Sequence, residues 1–96
     1  MEHIVVTEAL KRGAEVFPNS TCTGSIDLII KINDQHLDCD VKSKTQRHLT
    51  AGRVAYSHKN SGSIAEGVYC ISVHPITFEV SWHPSLTPKG FETFWD

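Results

Sequence analysis

Several features that define common protein classes are missing from this chain of 96 residues. Its three cysteines, Cys22, Cys39 and Cys70, are far apart and form no CxxC pair, which argues against a disulfide framework and a standard structural zinc site. Its six histidines form neither HxxxH nor HExxH, so a histidine-based metal site is not expected. It has no signal peptide and no run of eighteen apolar residues, which predicts a cytoplasmic protein that does not bind membranes.

The length of the chain predicts one small domain over residues 1–96. A chain of this size buries a limited fraction of its surface, so a core built on several strands is close to the limit of stability. Association of identical chains is a common remedy, and we expect a homodimer or a higher homo-oligomer. Cys39 and Cys70 lie in strand-like runs, where they are most simply small buried hydrophobic residues.

Charge is unevenly distributed along the chain, although the net charge is only −2. Residues 1–40 contain three Lys or Arg and seven Asp or Glu, whereas residues 41–65 contain five basic residues and no acid. A basic segment that directly follows an acidic one allows a phosphate backbone to approach carboxylates that hold a cation. The alternative is an ordinary solvated polar loop, and composition alone does not separate the two.

The hydrophobic pattern predicts an α+β domain with an N-terminal helix and one central mixed sheet. Residues 2–16 have helical spacing, and if Gly13 ends the helix, a short strand begins over residues 14–17. The segments 26–32, 37–42, 67–74 and 76–82 predict strands, separated by a basic connector over residues 43–63. Within the connector, residues 49–56 predict a short helix or an irregular turn. The tail, residues 86–96, contains Phe91, Phe94 and Trp95 and predicts a terminal helix or a cover for a partner subunit.

Two acids and one lysine fall on a common face of the first predicted hairpin. Asp27 interrupts an apolar run, and a charge there is costly to bury unless it is paired or binds metal. If Asp34 and Gln35 form the turn, Asp27 lies opposite Lys42 and shares a face with Asp40. The alternatives are structural: Asp27 caps a loop or pairs with Lys42, and Asp40 and Lys42 form a surface ion pair of little energetic value.

This constellation suits a metal site for phosphodiester hydrolysis. Mg²⁺ prefers oxygen ligands and takes one or two carboxylates, here Asp27 and Asp40, with the backbone carbonyl of Val41 as a further candidate. Lys42 would position the attacking water or stabilise developing negative charge. Glu2, on the inward face of the first helix, is a candidate for a second cation, or it simply favours a helix N-terminus.

The basic connector provides the candidate nucleic-acid contacts. Polar and basic side chains close behind Lys42 are more typical of phosphate binding than of catalysis. The predicted DNA-binding residues are Lys44, Gln46, Arg47, Arg53 and Lys59.

The segments around residues 9–18, 24–30 and 40–43 together resemble the PD-(D/E)xK nuclease superfamily, most closely its small members. These are Holliday-junction resolvases, virus-type replication-repair nucleases and homing endonucleases. Asp27 corresponds to the first motif acid, Asp40 and Lys42 to the (D/E)xK pair, and Glu2 to the helix glutamate, for which Glu8 remains an alternative. Ile26 stands where these proteins often have proline, and Asp40 where glutamate is commoner.

The resemblance implies a restriction-endonuclease-like core with a catalytic hairpin. It further implies a Mg²⁺-dependent DNA endonuclease, with Mn²⁺ as a substitute, that cuts branched or duplex DNA in viral or mobile-element recombination and repair and leaves a 5′-phosphate. A viral member would act in the host-cell cytoplasm. Two alternatives remain: a catalytically inactive nucleic-acid-binding module with the nuclease fold, and a small protein-interaction or inhibitor protein.

Overall fold

The computed structural model describes residues 1–18, 26–48, 54–58 and 66–96. Its elements are α1 (Glu2–Lys11), β1 (Glu15–Pro18), β2 (Leu28–Ile32), β3 (Gln35–Ser43), β4 (Thr45–His48), β5 (Val54–Ser57), β6 (Tyr69–Val73) and β7 (Val80–Trp82). Five strands form a sheet in the order β1-β2-β3-β6-β7, in which β3 and β6 are parallel and the other neighbours antiparallel. The predicted α+β class, with an N-terminal helix and a mixed central sheet, is therefore confirmed.

The first helix ends earlier than residue 16, because a glycine terminates it. Gly13 adopts a φ of +83°, and the N–H of Ala14 turns back to donate to the carbonyl of Ala9 at 3.1 Å. This left-handed cap closes the helix and releases the chain into β1. The alternative in which Gly13 ends the helix is thus the correct one. In the described part of the chain, no helix is long and apolar enough to span a membrane.

The hairpin between β2 and β3 turns one residue earlier than predicted. Asn33 and Asp34 form its tip with φ values of 51° and 63°, and Ile32 pairs with Gln35. A two-residue turn with positive φ at both positions favours Asn and Asp, whereas glutamine has no such preference. The predicted register was therefore wrong by two residues. Since side chains alternate with a period of two, the error left every side chain on its predicted face.

The predicted basic connector contains two strands that the hydrophobic pattern did not indicate. β4 and β5 pair antiparallel, from Thr45 with Ser57 to His48 with Val54, as a separate two-stranded sheet. Residues 54–56 are therefore strand and neither helix nor irregular turn, while residues 49–53 lie outside the described residues. The pattern failed because β4, with the sequence Thr-Gln-Arg-His, has no apolar face to produce alternation.

One face of the five-stranded sheet forms the core against α1. The inward helix residues Val5 and Ala9 are completely buried. They pack in one cluster with apolar residues from the sheet, namely Leu28, Ile30, Leu37, Cys39, Ile71, Val73, Val80 and Trp82. Cys39 and Cys70 are buried and free, as predicted, and Cys22 lies outside the described residues.

The C-terminal tail packs against its own sheet as a series of turns. Trp95 is buried, and its carbonyl accepts a 2.7 Å hydrogen bond from the guanidinium of Arg12. The indole N–H of Trp82 donates to the carbonyl of Phe91 at 2.8 Å. The prediction of a terminal helix was wrong, and the tail aromatics are engaged within the chain, so they no longer argue for a partner subunit.

Candidate functional site

The polar residues of β3 and β6 lie on the sheet face opposite α1. β3 and β6 align Asp40 with Cys70 and Lys42 with Ser72. Because successive strand residues point to opposite faces, these four side chains lie on the side away from the core residues Cys39 and Ile71. This face, which we call the polar face, holds the candidate site.

Asp27 is fixed at the edge of this face by two backbone contacts. Its own N–H donates to the carbonyl of Cys39 at 2.9 Å. Its Oδ2 accepts a 2.7 Å hydrogen bond from the N–H of Val41. Continuing the β2–β3 register by one residue aligns Asp27 with Asp40 rather than with Lys42. The hairpin therefore holds the Asp27 carboxylate beside that of Asp40.

Asp40 is the most strongly perturbed carboxyl group of the site. It is 7% exposed, and its Oδ2 lies 3.4 Å from Nζ of Lys42. Burial raises the pKa of Asp40 to about 6, and Asp27 adds to the rise through a shared hydrogen bond and its charge, whereas Lys42 opposes it. Two acids that share a hydrogen bond repel each other once both are ionised. A bound cation would remove that repulsion.

The oxygen donors of this pair fit a hard divalent cation. Mg²⁺ commonly takes one or two carboxylates and completes its octahedron with water and substrate phosphate. Among the residues that the structure describes, no group of three or more His, Cys, Asp or Glu side chains could hold a metal. The candidate ligands are therefore Asp27 and Asp40. The backbone of Val41 is also at this site, because its N–H donates to the carboxylate of Asp27. A ligand role for the Val41 carbonyl stays a prediction.

The structure does not bring a helix acid to the two aspartates. Glu2 is exposed at the start of α1, which packs on the apolar face of the sheet. Glu8 forms ion pairs with Arg12 at 3.0 Å and Lys11 at 3.2 Å, and the hydrogen bond to Arg12 is the main cause of its lowered pKa. Neither glutamate has a described contact with Asp27 or Asp40. The role of Glu2 stays a prediction.

The predicted DNA contacts are only partly described. Lys44 follows β3, is half-buried, and is anchored by its N–H, which donates to the carbonyl of Val73 at 2.9 Å. Gln46 is exposed on β4, and Arg47 lies on the same strand with a side chain outside the described part of the structure. Arg53 and Lys59 lie outside the described residues altogether. Their role in DNA binding stays a prediction.

Sequence reasoning missed three residues on or near the polar face. Ser72 is 1% exposed, and its hydroxyl lies 2.7 Å from Nδ1 of His58, just after β5. The ring of His58 in turn meets that of His83 edge-on, with centroids 5.3 Å apart. Ser72 gave one usable signal, since a serine in a buried strand needs a polar partner. His58 gave none, because only the fold brings it to β6.

A cleft of about 600 Å³ lies elsewhere, between α1, β7 and the tail. Its charged walls are Glu8, Arg12, Glu79, Glu92 and Asp96. Four acids against one arginine repel a polyanion, and neither Asp27 nor Asp40 lines this cleft. We therefore place the candidate site at the two aspartates.

Comparison with known proteins supports a fold and no family. No protein-family model and no curated protein sequence matches the chain. Among solved structures, the chain is similar to a bacterial homing endonuclease, I-Ssp6803I, with a TM-score of 0.66 and 17% sequence identity. The chain has a nuclease-like fold. The similarity covers 86% of this chain and 59% of the endonuclease chain, so this chain spans less than two thirds of that protein.

Proposed function

We propose that the chain is a DNA endonuclease that hydrolyses phosphodiester bonds with a divalent cation, Mg²⁺ or Mn²⁺. The observation that carries this proposal is the convergence of Asp27, Asp40 and Lys42 at one point of the polar face, on a nuclease-like fold. Two carboxylates and a lysine together supply a cation site and a positive charge for the transition state.

The roles of the three side chains follow from their surroundings. A divalent cation, when bound, supplies Lewis acidity that polarises the phosphate and lowers the pKa of water. Asp27, oriented by the amide of Val41, and Asp40, buried beside it, would hold that cation. Lys42 is one-third exposed and 3.4 Å from Asp40, so its ammonium can reach a non-bridging phosphate oxygen and stabilise developing negative charge.

DNA is the proposed substrate because of the surroundings of the site. Lys44 lies two residues beyond Lys42, so the alternation of the strand gives the two lysines the same parity. In addition, the solved structure to which the chain is similar is a homing endonuclease. Branched and linear duplexes are both candidates. Cutting both strands with one site per chain would suit a homodimer, which stays a prediction.

The test is cleavage of plasmid, linear duplex and four-way-junction DNA in Mg²⁺, Mn²⁺ and EDTA. We expect cleavage with either metal and none in EDTA. Asp40→Asn and Lys42→Met should each lower the rate about 100-fold or more, since each removes a charge that acts on the transition state. Asp34→Asn, at the exposed hairpin tip, and Lys31→Met, at the other end of β2, are the matched controls and should cleave normally.

Three outcomes would overturn the proposal. Cleavage that persists in EDTA, or in both site variants, would place the chemistry elsewhere. DNA binding by the wild type without cleavage would indicate a catalytically inactive binding module. Absence of any affinity for DNA at low salt would leave a protein-interaction role.

A further inference from the structure

A second polar pair lies beside the carboxylates, one strand further into the sheet. Ser72 on β6 is aligned with Lys42 on β3, so both side chains lie on the polar face. The Ser72 hydroxyl is almost completely buried and lies 2.7 Å from Nδ1 of His58. By strand spacing and rise, the Cα atoms of Asp40 and Ser72 are about 8 Å apart. His58 therefore contacts the strand next to the one that carries Asp40 and Lys42.

The contact with Ser72 determines which atom of His58 can meet a ligand. Nδ1 is engaged by the serine, so Nε2 is the ring nitrogen that can face a ligand. If the serine hydroxyl donates to Nδ1, Nε2 carries the proton and becomes a hydrogen-bond donor. His83 supports the ring edge-on, and its N–H donates to the carbonyl of Cys70 at 2.8 Å. Two neighbours on the sheet thus fix the orientation of the ring.

The surroundings of this ring favour an anion. Lys42 lies one strand away, and Lys44 follows it by two residues. Burial lowers the pKa of His58, and the charges of Lys44 and His83 lower it further. Both effects favour the neutral form of the imidazole. A neutral N–H donor among cationic side chains suits a phosphodiester oxygen, to which it adds a directed hydrogen bond.

We propose that His58, held by Ser72, binds a phosphate of the substrate strand adjacent to the scissile bond. This inference rests on the proposed endonuclease function. It makes His58 a substrate-contacting residue and Ser72 its positioning residue. Neither residue takes part in bond breaking, which stays with the groups around Asp40.

The test combines substitutions that separate the two ring nitrogens. His58→Gln places an amide near the position of Nε2, whereas His58→Asn reaches only the position of Nδ1. In an Asp40→Asn background, in which cleavage is expected to be slow, binding is measured to duplexes that carry one methylphosphonate at each position around the cleavage site in turn. Neutralising the contacted phosphate should weaken binding about tenfold when His58 is intact, as expected for a hydrogen bond to a charged group.

The variants have distinct expected results. His58→Asn should bind the unmodified duplex about tenfold more weakly and lose its sensitivity at that one methylphosphonate position. His58→Gln should keep that sensitivity, and Ser72→Ala should weaken it. His36→Ala, an exposed histidine on β3, is the control and should match the parent at every position.

The result that would overturn the inference is a methylphosphonate profile in His58→Asn identical to that of the parent. That result would reduce the His58–Ser72 pair to a packing contact between β5 and β6. A second check changes only the DNA and leaves His58 and Ser72 intact, so it does not depend on the folding of a variant. Absence of any methylphosphonate-sensitive phosphate beside the scissile bond also overturns the inference. Cleavage by the wild type in Mg²⁺ is scored separately, so failure of the endonuclease proposal is distinguishable.

Discussion

The two faces of the five-stranded sheet are built from alternate residues of the same strands, yet they have opposite properties. On one face, Ile30 and Ile71 are completely buried against α1. On the other, Asp40 and Ser72 are nearly as buried, but both are polar and each has a specific partner. Burial by itself therefore does not separate the two faces, whereas the chemistry of what is buried does.

The difference separates the residues that stabilise the fold from those that form the candidate site. Apolar burial stabilises the fold by roughly 25 cal/mol per Å² removed from water. A buried carboxyl group whose pKa has risen to about 6 works against folding at neutral pH, because the ionised form is held in an unfavourable place. Apolar burial on one face thus offsets the destabilisation that the buried charge causes on the other, as is typical of functional sites.

The largest expected effect comes from comparing two adjacent isoleucines. Ile30 is completely buried in the core, and Ile29 is half-buried on the polar face. Ile30→Ala should lower the free energy of unfolding by about 2–5 kcal/mol, through lost burial and the cavity left behind. Ile29→Ala should cost less than about 1 kcal/mol. Urea denaturation of the two variants measures the difference directly.

Equal losses at Ile29 and Ile30 would contradict the assignment of the faces. Such a result would mean that the side chain of Ile29 is packed as closely as that of Ile30. DNA cleavage by Ile29→Ala then serves as the second readout, because this side chain lies on the face that carries the site.

Period-two alternation explains why much of the site could be predicted without the correct hairpin. The predicted turn at Asp34 and Gln35 was wrong, and the observed turn is at Asn33 and Asp34. The resulting shift of two residues changed the residue opposite Asp27 from Lys42 to Asp40, but it left the Asp27 side chain on the same face of the sheet. A shift of one residue would have moved the aspartate to the core side. The face was thus robust to the error, whereas the pairing of individual residues was not.

Other features could not be predicted because no local pattern encodes them. β4 has no apolar face, and β5 has only four residues, too few for a clear alternating pattern, so periodicity did not reveal them. The proximity of His58 to Ser72 depends on how β5 approaches β6, which no local pattern of residues indicates. The tail has enough aromatic residues for a helix face, but hydrogen bonds to Arg12 and Trp82 hold it in turns. In each case tertiary contacts decided the structure.

An intermediate effect is expected from the titration of Asp40. Its pKa is about 6 in the folded protein and 3.8 ordinarily, so between these values the folded state binds more protons than the unfolded state. The contribution of Asp40 to stability should therefore fall as pH rises from about 4 to 6 and level off above that. Asp40→Asn lacks this titration and should be more stable than the wild type at pH 7 and similar to it below pH 4. Urea denaturation at pH 4, 5 and 7 tests this prediction.

Added Mg²⁺ links the same titration to the proposed function. At pH 7 the cation should raise the melting temperature of the wild type, because it binds the folded state alone, and should leave Asp40→Asn unchanged. Cleavage should decline below about pH 6, where Asp40 is protonated, although protonation removes the cost of burying the Asp40 charge in the protein without metal. If the stability gained by Asp40→Asn over the wild type did not grow with pH through this window, the assignment of Asp40 as a buried acid would be contradicted.

The smallest effect is expected from substitution of Lys44, the basic residue that follows β3. Lys44 lies two residues beyond Lys42, and its charge helps to lower the pKa of His58, which places it near that ring. If Lys44 contacts one phosphate, Lys44→Met should flatten the plot of log affinity against log salt by about 0.9, with cleavage chemistry retained. Lys89→Met replaces an exposed lysine in the tail and should leave the slope unchanged. Equal slopes for both variants would exclude Lys44 from the DNA path, and the polar face would then act on phosphate only through Lys42 and its immediate neighbours.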